Sequence, residues 1–320
     1  MSSSPRRLGI VMDPIESISV KKDSSFAMLL EAERRGYELH YMLQKDLRLL
    51  DGVATGTSRL LTVHDREQDW FSLGAESTVP LGDLDVILMR KDPPFDMEYI
   101  YSTYILERAQ IAGALVVNRP QALRDMNEKA YTAWFADCAP TTLITRSMAD
   151  MKAFIQEHGK AVVKPLDGMG GRSIFVVEKG DNNANVIVET LTDYGSRFAM
   201  AQEFVPEISN GDKRILLIDG EPIPYALARV PSADDNRGNL VMGATGEGRE
   251  LTDRDREICA RVGPVLREQG VIFCGIDVIG DYLTEINSTS PTGIRELDRL
   301  FDLNIAGTLF DAIETAIEQN

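Results

Sequence analysis

Cysteine, histidine and tryptophan are scarce in this 320-residue chain: three, three and two. Cys138, Cys259 and Cys274 are odd in number and far apart, with no C-x-x-C pair and no zinc spacing, so a disulfide framework is excluded. Reduced thiols and a cytoplasmic address are the expectation. His40, His64 and His158 are too scattered for a catalytic triad or a metal cluster. No apolar run approaches the roughly 18 residues that a bilayer span needs. The apolar stretch after Arg7 is short and ends in an acid and a proline, so it reads as a first strand and not as a signal peptide. Basic residues are outnumbered, 34 against 50 acidic ones, for a formal net charge of −16. So acidic a surface repels nucleic acid and anionic membranes, and neither is expected as a partner. It also makes convergent Arg and Lys informative, because a pocket for an anion must oppose the field of the whole molecule. There is no G-x-x-x-x-G-K-[ST], no G-x-S-x-G and no internal repeat.

What is present is an ordinary globular mix, 43% hydrophobic and 26% charged, long enough for two or three domains. The first third alternates strand and helix patterns. Strands are expected at 8–13, 37–42, 85–94 and 114–118, and helices at 25–35, where Asp23-Ser24 supply a cap, and at 98–111. A hairpin is expected around Asp51-Gly52. This alternation predicts a mostly parallel sheet with helices on its faces. A compact α+β segment follows, with helical patterns over 121–137, helices at 147–158 and 184–194, and strands at 161–166, 172–179 and 198–206. The last third holds two hairpins, turning at Asp219-Gly220 and Gly280-Asp281, a helix over 252–268, two final helices, and the polar, glycine-rich stretch 232–248. That stretch exceeds an ordinary connection and reads as a lid or as disorder.

Four groups of residues bear on chemistry. In KPLDGMGG, Lys164 ends a buried strand and a glycine-rich loop runs straight into another strand, not a helix. Glycines let backbone N–H groups crowd a phosphate, and the lysine adds a point charge. A tight hairpin with a surface lysine fits the same letters. Asp277, Glu285 and Asn287 lie on the second hairpin, and Glu285 and Asn287, two apart, share one face. A two-residue loop would pair Asp277 with Thr284 and turn Glu285 away. A three-residue loop pairs Asp277 with Glu285, and that register is expected because only then do hard oxygen donors for Mg²⁺ converge. A solvated strand face is the alternative. Arg90, Arg214, Arg229 and Arg237 form a basic set in an acidic chain, with guanidiniums suited to carboxylate and phosphate. In MAQEFVPE, a strand stopped by Pro206 could present backbone groups to an adenine edge, although an ordinary core strand reads the same way.

Together, the stretches KDSSFAMLLEAERRGYELHYM, DVILMRKDPPFDMEYIY, VVNRPQALRDMNEKAYTAWF, KPLDGMGG, DGEPIPYALARVP and LTEINSTSPTGIREL resemble the bacterial glutathione synthetases, members of the ATP-grasp superfamily. The likeness runs from about Leu8 to the C-terminal helices. It implies a mixed α/β and α+β chain: an ATP-grasp fold behind an N-terminal Rossmann-like α/β domain, divided at about 1–122, 123–200 and 201–320, with a flexible loop at about 230–246. It implies a cytoplasmic, homotetrameric ligase that joins γ-glutamylcysteine to glycine with ATP and Mg²⁺ or Mn²⁺. Lys129 and Lys164 should then contact the ATP phosphates, and Gly168, Met169, Gly170 and Gly171 should close over them. Glu203, Phe204 and Val205 should line the adenine, the first and last through backbone groups, and Asp212 should reach the ribose. Asp277, Glu285 and Asn287 should hold metal. Arg214, Arg229 and Arg237 should be catalytic, and Arg90, Arg214, Arg229, Ser290 and Thr292 should face the peptide substrate. Where the family often carries a glycine- and arginine-rich stretch at the far end of the lid, this chain reads MGATGEGRE, so that the arginine is either displaced to Arg249 or absent. An ATP-grasp ligase for another carboxylate and amine, or a nucleotide-binding subunit without turnover, are the rival expectations.

Overall fold

A computed structural model describes residues 4–168, 170–231 and 245–319. Three sheets succeed one another along the chain. The first is built from β1 (Arg7–Val11), α1 (Ser24–Arg34), β2 (Glu38–Met42), β3 (Leu47–Leu50), β4 (Val53–Val63), β5 (Phe71–Pro80), β6 (Val86–Met89), α2 (Met97–Ile111) and β7 (Leu115–Val117). β1, β2, β6 and β7 run parallel, while β4 is antiparallel to β2, β3 and β5, so the sheet is mixed and not mostly parallel. The difference lies in the long β4–β5 pair. Most of β5 is exposed polar sequence without the buried run that marks a strand in advance. At the Asp51-Gly52 turn both residues have positive φ, the backbone a two-residue hairpin with right-handed twist demands. The Asp23 carboxylate accepts from the Phe26 N–H and starts α1.

The second sheet follows α3 (Pro120–Asp125) and contains β8 (Thr142–Thr145), α4 (Met148–His158), β9 (Lys160–Pro165), β10 (Phe175–Glu178), α5 (Ala184–Thr192) and β11 (Ala199–Glu203). Its order is β10-β9-β11-β8, antiparallel throughout. The helical pattern read over 121–137 is broken in two: α3, then a 3-10 turn at Ala130–Phe135. The Asn127 side chain accepts from the Lys129 and Ala130 N–H groups and donates to the Leu166 carbonyl, which diverts the chain between them.

The third sheet contains β12 (Asp212–Ile218), β13 (Glu221–Val230), β14 (Thr245–Glu250), then α6 (Asp253–Glu268), β15 (Phe273–Ile279) and β16 (Tyr282–Asn287), in the order β14-β13-β12-β15-β16. α7 (Ile294–Phe301) and α8 (Ile305–Gln319) close the chain. β14 occupies the far end of the stretch read as a lid, because its backbone completes the edge of β13. One face of this sheet packs Ile215, Leu217, Cys274, Ile276 and Val278 under α6. On the other face Leu216, Ile218, Leu227 and Phe273 join the core of the first sheet together with α7 and α8. Asn118 ties the sheets: its amide donates to the carbonyls of Phe273 and Ser288, each at 2.7 Å, and accepts from the Phe273 N–H. Among the described residues no helix is long and apolar enough to cross a membrane.

Candidate active site

Between the second and third sheets lies a cleft of about 440 Å³. Strand periodicity decides what it contains. On β9, Ala161 and Val163 point into the core beneath the second sheet while Val162 and Lys164 line the cleft. On β12 and β15, Asp212, Arg214, Asp277 and Ile279 line it, with Ile215, Ile276 and Val278 turned to the opposite face. The same face of the third sheet is thus charged at the cleft end and apolar where it meets the first sheet.

β16 breaks the rule of two, and the break makes the site. Ile279 pairs with Tyr282 and Val278 with Leu283, which is a two-residue turn at Gly280-Asp281. Asp277 nevertheless pairs with Glu285, because Thr284 is an extra residue bulged out of the ladder. The expected pairing is present, but by a bulge and not by a three-residue loop. Leu283 and Ile286 stay in the core, while Thr284, Glu285 and Asn287 all face the cleft. The Thr284 hydroxyl donates to the Asp277 carbonyl at 3.2 Å and holds the bulge.

Lys129 and Lys164 converge on one carboxylate: each Nζ lies 3.7 Å from Oε1 of Glu285. Lys129 Nζ also donates to the Gly168 carbonyl at the mouth of the glycine loop. Lys164 is 4% exposed, and burial lowers its pKa, with Glu285 pulling the other way. Gly168, Gly170 and Gly171 line the cleft, the last two at φ +68° and +74°. Met169 lies outside the described residues.

Asp277, 2% exposed, is gripped by Arg214 through Nε at 2.5 Å and a terminal nitrogen at 2.9 Å, by Arg229 at 2.8 Å, and by the Asn287 amide at 3.2 Å. Burial alone would raise its pKa, but the two guanidiniums overcome that and hold it well below the usual carboxylate range. Arg229 also pairs with Asp212. Asp212 titrates the other way, pushed up to about 7 by burial and by the neighbouring charges of Asp277 and Glu285 against the pull of Arg229. Its Oδ1 is buried without a partner. Two acids share the guanidinium of Arg229, and Asp277 carries the firmer charge. Gly275 makes room for this: a Cβ there would come within 2.7 Å of the Arg214 side chain.

The apolar half of the cleft is Val162, Ile174, Phe175, Val205, Ile208 and Ile279. The N–H of Glu203 is taken by the Thr141 carbonyl and that of Phe204 by Lys160, whereas the Val205 N–H has no partner among the described residues. The Glu203 side chain is exposed and accepts from Thr141.

Arg90, Ser290 and Thr292 do not line this cleft. Arg90 is buried at the end of β6, where it donates to Ser25 and to the Pro291 carbonyl and stacks over Phe273. Ser290 donates to Asp92 at 2.6 Å, and Thr292 is exposed. All three gather where the β6 end meets the 288–293 loop. Arg237 and the segment 232–244 lie outside the described residues. Arg249 sits on β14 and donates to the Asn210 carbonyl and to Glu247. The sequence reading passed over Glu128, Gln202, Gly275 and most of the apolar lining; only the adjacency of Glu128 to Lys129 could have drawn attention to it.

Family models match nearly the whole chain: the N-terminal domain of prokaryotic glutathione synthetase over 7–124 and its ATP-grasp domain over 128–302. The chain belongs to the prokaryotic glutathione synthetase family. It is 58% identical over 313 residues to the glutathione synthetase of Escherichia coli strain K12, covering 98% of this chain and 99% of that one. The glutathione synthetase of Vibrio parahaemolyticus is 58% identical over 312 residues, with the same coverage. Among solved structures, the D-cycloserine synthetase DcsG shares the fold at a TM-score of 0.68 and 15% identity, over 97% of this chain and 99% of that one. The activity that goes with membership is ATP-dependent ligation, the synthesis of glutathione. The ATP-grasp fold accounts for a cleft walled by two antiparallel sheets.

Proposed function

We propose that the cleft binds ATP between the second and third sheets and uses it to join γ-glutamylcysteine to glycine through an acyl phosphate. The single observation that carries this is the convergence of Lys129 and Lys164 on Glu285 beneath a glycine loop, beside the Asp277–Asn287 pair. A carboxylate cannot expel oxide, so it must first be phosphorylated. A carboxylate oxygen of the dipeptide attacks the γ-phosphorus and ADP departs. The amine of glycine then attacks the acyl carbon and phosphate departs. Bringing two anions together is the main obstacle, and positioning with fixed positive charge overcomes it. Lys129 and Lys164 serve the phosphates, and the glycine loop, with Gly168 and Gly170 lining the cleft, borders them. The free Val205 N–H and the apolar lining suit an adenine ring, with Glu203 and Phe204 at its edge. The unpartnered Oδ1 of Asp212 suits a ribose hydroxyl. Arg214 and Arg229 face the transferring group, and Arg237, outside the described residues, is the third arginine assigned to it. Arg90, Ser290 and Thr292 hold the dipeptide where the first sheet meets the 288–293 loop.

The donor set fits a hard divalent cation, Mg²⁺ or Mn²⁺. Glu285 and the amide oxygen of Asn287 face the cleft, and Asp277 Oδ1 carries one hydrogen bond where it can accept two. Among the described residues no three His, Cys, Asp or Glu side chains are set to hold a metal, so the amide and the ATP phosphates complete the set. When bound, the cation offsets charge on the phosphates. The same reading makes the enzyme cytoplasmic and homotetrameric, divided into domains at about 122 and 200.

The test is ADP release by the purified enzyme with γ-glutamylcysteine, with and without glycine. Sustained release that requires both is expected. Release indifferent to the dipeptide would defeat the reading.

A further inference from the structure

The roles assigned above leave Glu128 of the cleft without a task. Glu128 stands beside Lys129 and lines the cleft, yet among the described residues it is the lining carboxylate with no ion pair. Asp212 and Asp277 are paired with guanidiniums, Glu285 with two lysines, and Glu203 lies 3.8 Å from His158. It is held firmly all the same. The Thr289 hydroxyl donates to its Oε1 at 2.6 Å, and its carbonyl accepts from the Ile286 N–H at 2.8 Å. Oε2 has no hydrogen bond among the described residues. A hollow of about 10 Å³, room for one small group, adjoins the cleft between Phe95, Met126, Asn127 and Thr289, and only Glu128 and Gly168 line both spaces.

The second half-reaction needs a group that takes a proton from the acceptor. The acceptor arrives as an ammonium, which has no lone pair, and a positive group entering a cleft of committed ion pairs has one free anion to meet. Resting on the ligase reading, we propose that Glu128 seats the ammonium of the incoming glycine and takes its proton. The nitrogen then attacks the acyl carbon: the C–N bond forms, the bond from that carbon to the phosphate oxygen breaks, and phosphate leaves with the electron pair. Of the three ammonium protons, one passes to Glu128, one leaves with phosphate and one stays on the amide. Burial raises the Glu128 pKa, opposed by Thr289 and Lys129 and reinforced by Glu285, the direction a proton acceptor requires.

The experiment compares two acceptors at neutral pH in the presence of ATP and γ-glutamylcysteine. Hydroxylamine is a neutral nucleophile under these conditions and needs neither an anchor for a cation nor a base. Glu128→Gln should lose about 100-fold or more of the glycine-dependent rate while hydroxamate formation stays within about threefold of the unaltered enzyme, which also certifies the fold. Glu128→Asp, which keeps the carboxylate, should recover part of the glycine rate. Equal losses with both acceptors, an undiminished glycine rate in Glu128→Gln, or no recovery in Glu128→Asp would each overturn the assignment. If the unaltered enzyme shows no dipeptide-dependent ADP release with either acceptor, the ligase reading itself fails instead.

Discussion

The two sheets that wall the cleft differ in kind. The second sheet offers Val162, Phe175 and Val176 beside Gln202 and an exposed Glu203, with a single buried lysine at the end of β9. The third is the richer in charge, with Asp212, Arg214, Arg229, Asp277 and Glu285 beside Ile279, Thr284 and Asn287. A nucleotide has a similar division, a flat ring at one end and anions at the other, which is the match the proposed reading relies on. The contrast also predicts how each wall fails. Loss on the charged wall strands partners in low dielectric, whereas loss on the apolar wall removes only contact area.

Asp277→Ala should break that contrast most severely. It abandons the buried Arg214 guanidinium and takes one of two carboxylates from Arg229, and removing one partner of a buried pair costs about 3–5 kcal/mol. Urea denaturation is the measurement; a loss under about 1 kcal/mol would mean that Arg214 and Arg229 simply relax into solvent. Lys164→Ala, at the buried charge of the other wall, should lower kcat by about 10²–10³-fold with little change in stability, because burial already disfavours its charge. Retained turnover would mean that the phosphates lie elsewhere. Glu285→Gln should raise the Mg²⁺ concentration for half-maximal rate by about 10-fold, and an unaltered titration would remove it from the metal set. Val162→Ala should raise KM for ATP by a few-fold and leave kcat nearly unchanged, as expected for about 1 kcal/mol of lost apolar contact. The smallest effect is one of pH. Asp212 is raised to about 7 from an unfolded value of about 3.9, so its contribution to stability is full below about 3.9 and is lost as pH rises through about 7. Asp212→Asn should therefore flatten the stability profile between those limits, and an unchanged profile would mean that the Arg229 pair keeps Asp212 ionised.

Much of this was legible beforehand because it is local. The apolar run Ala161-Val162-Val163 announces a buried strand, ended by Lys164. Asp51-Gly52 and Asp219-Gly220 announce their turns through positive φ. Asp23 announces a helix start. What escaped was sequence whose structure is supplied by a partner. β5 is largely polar and solvated and becomes a strand only by pairing with β4. β14 looks like loop because its glycines and charges serve an edge. The helical pattern after Pro120 was cut short by side-chain hydrogen bonds from Asn127, which compete with the helix for its own N–H groups.

The candidate site divides in the same way. The amino-acid order alone determined which residue types could handle a phosphate and an oxygen-bound cation, and it kept each on a strand or loop, since composition and periodicity act over a few residues. Only the folded chain decided which of them meet. The Thr284 bulge, one residue in a ladder of period two, turns Glu285 toward Asp277, and a one-residue slip of that kind is fixed by packing on both faces and not by the letters of the hairpin. The sharing of Arg229 between Asp212 and Asp277, the space that Gly275 leaves for Arg214, and the unpaired carboxylate of Glu128 are settled by contacts between segments distant in the chain, where burial sets the cost of every charge.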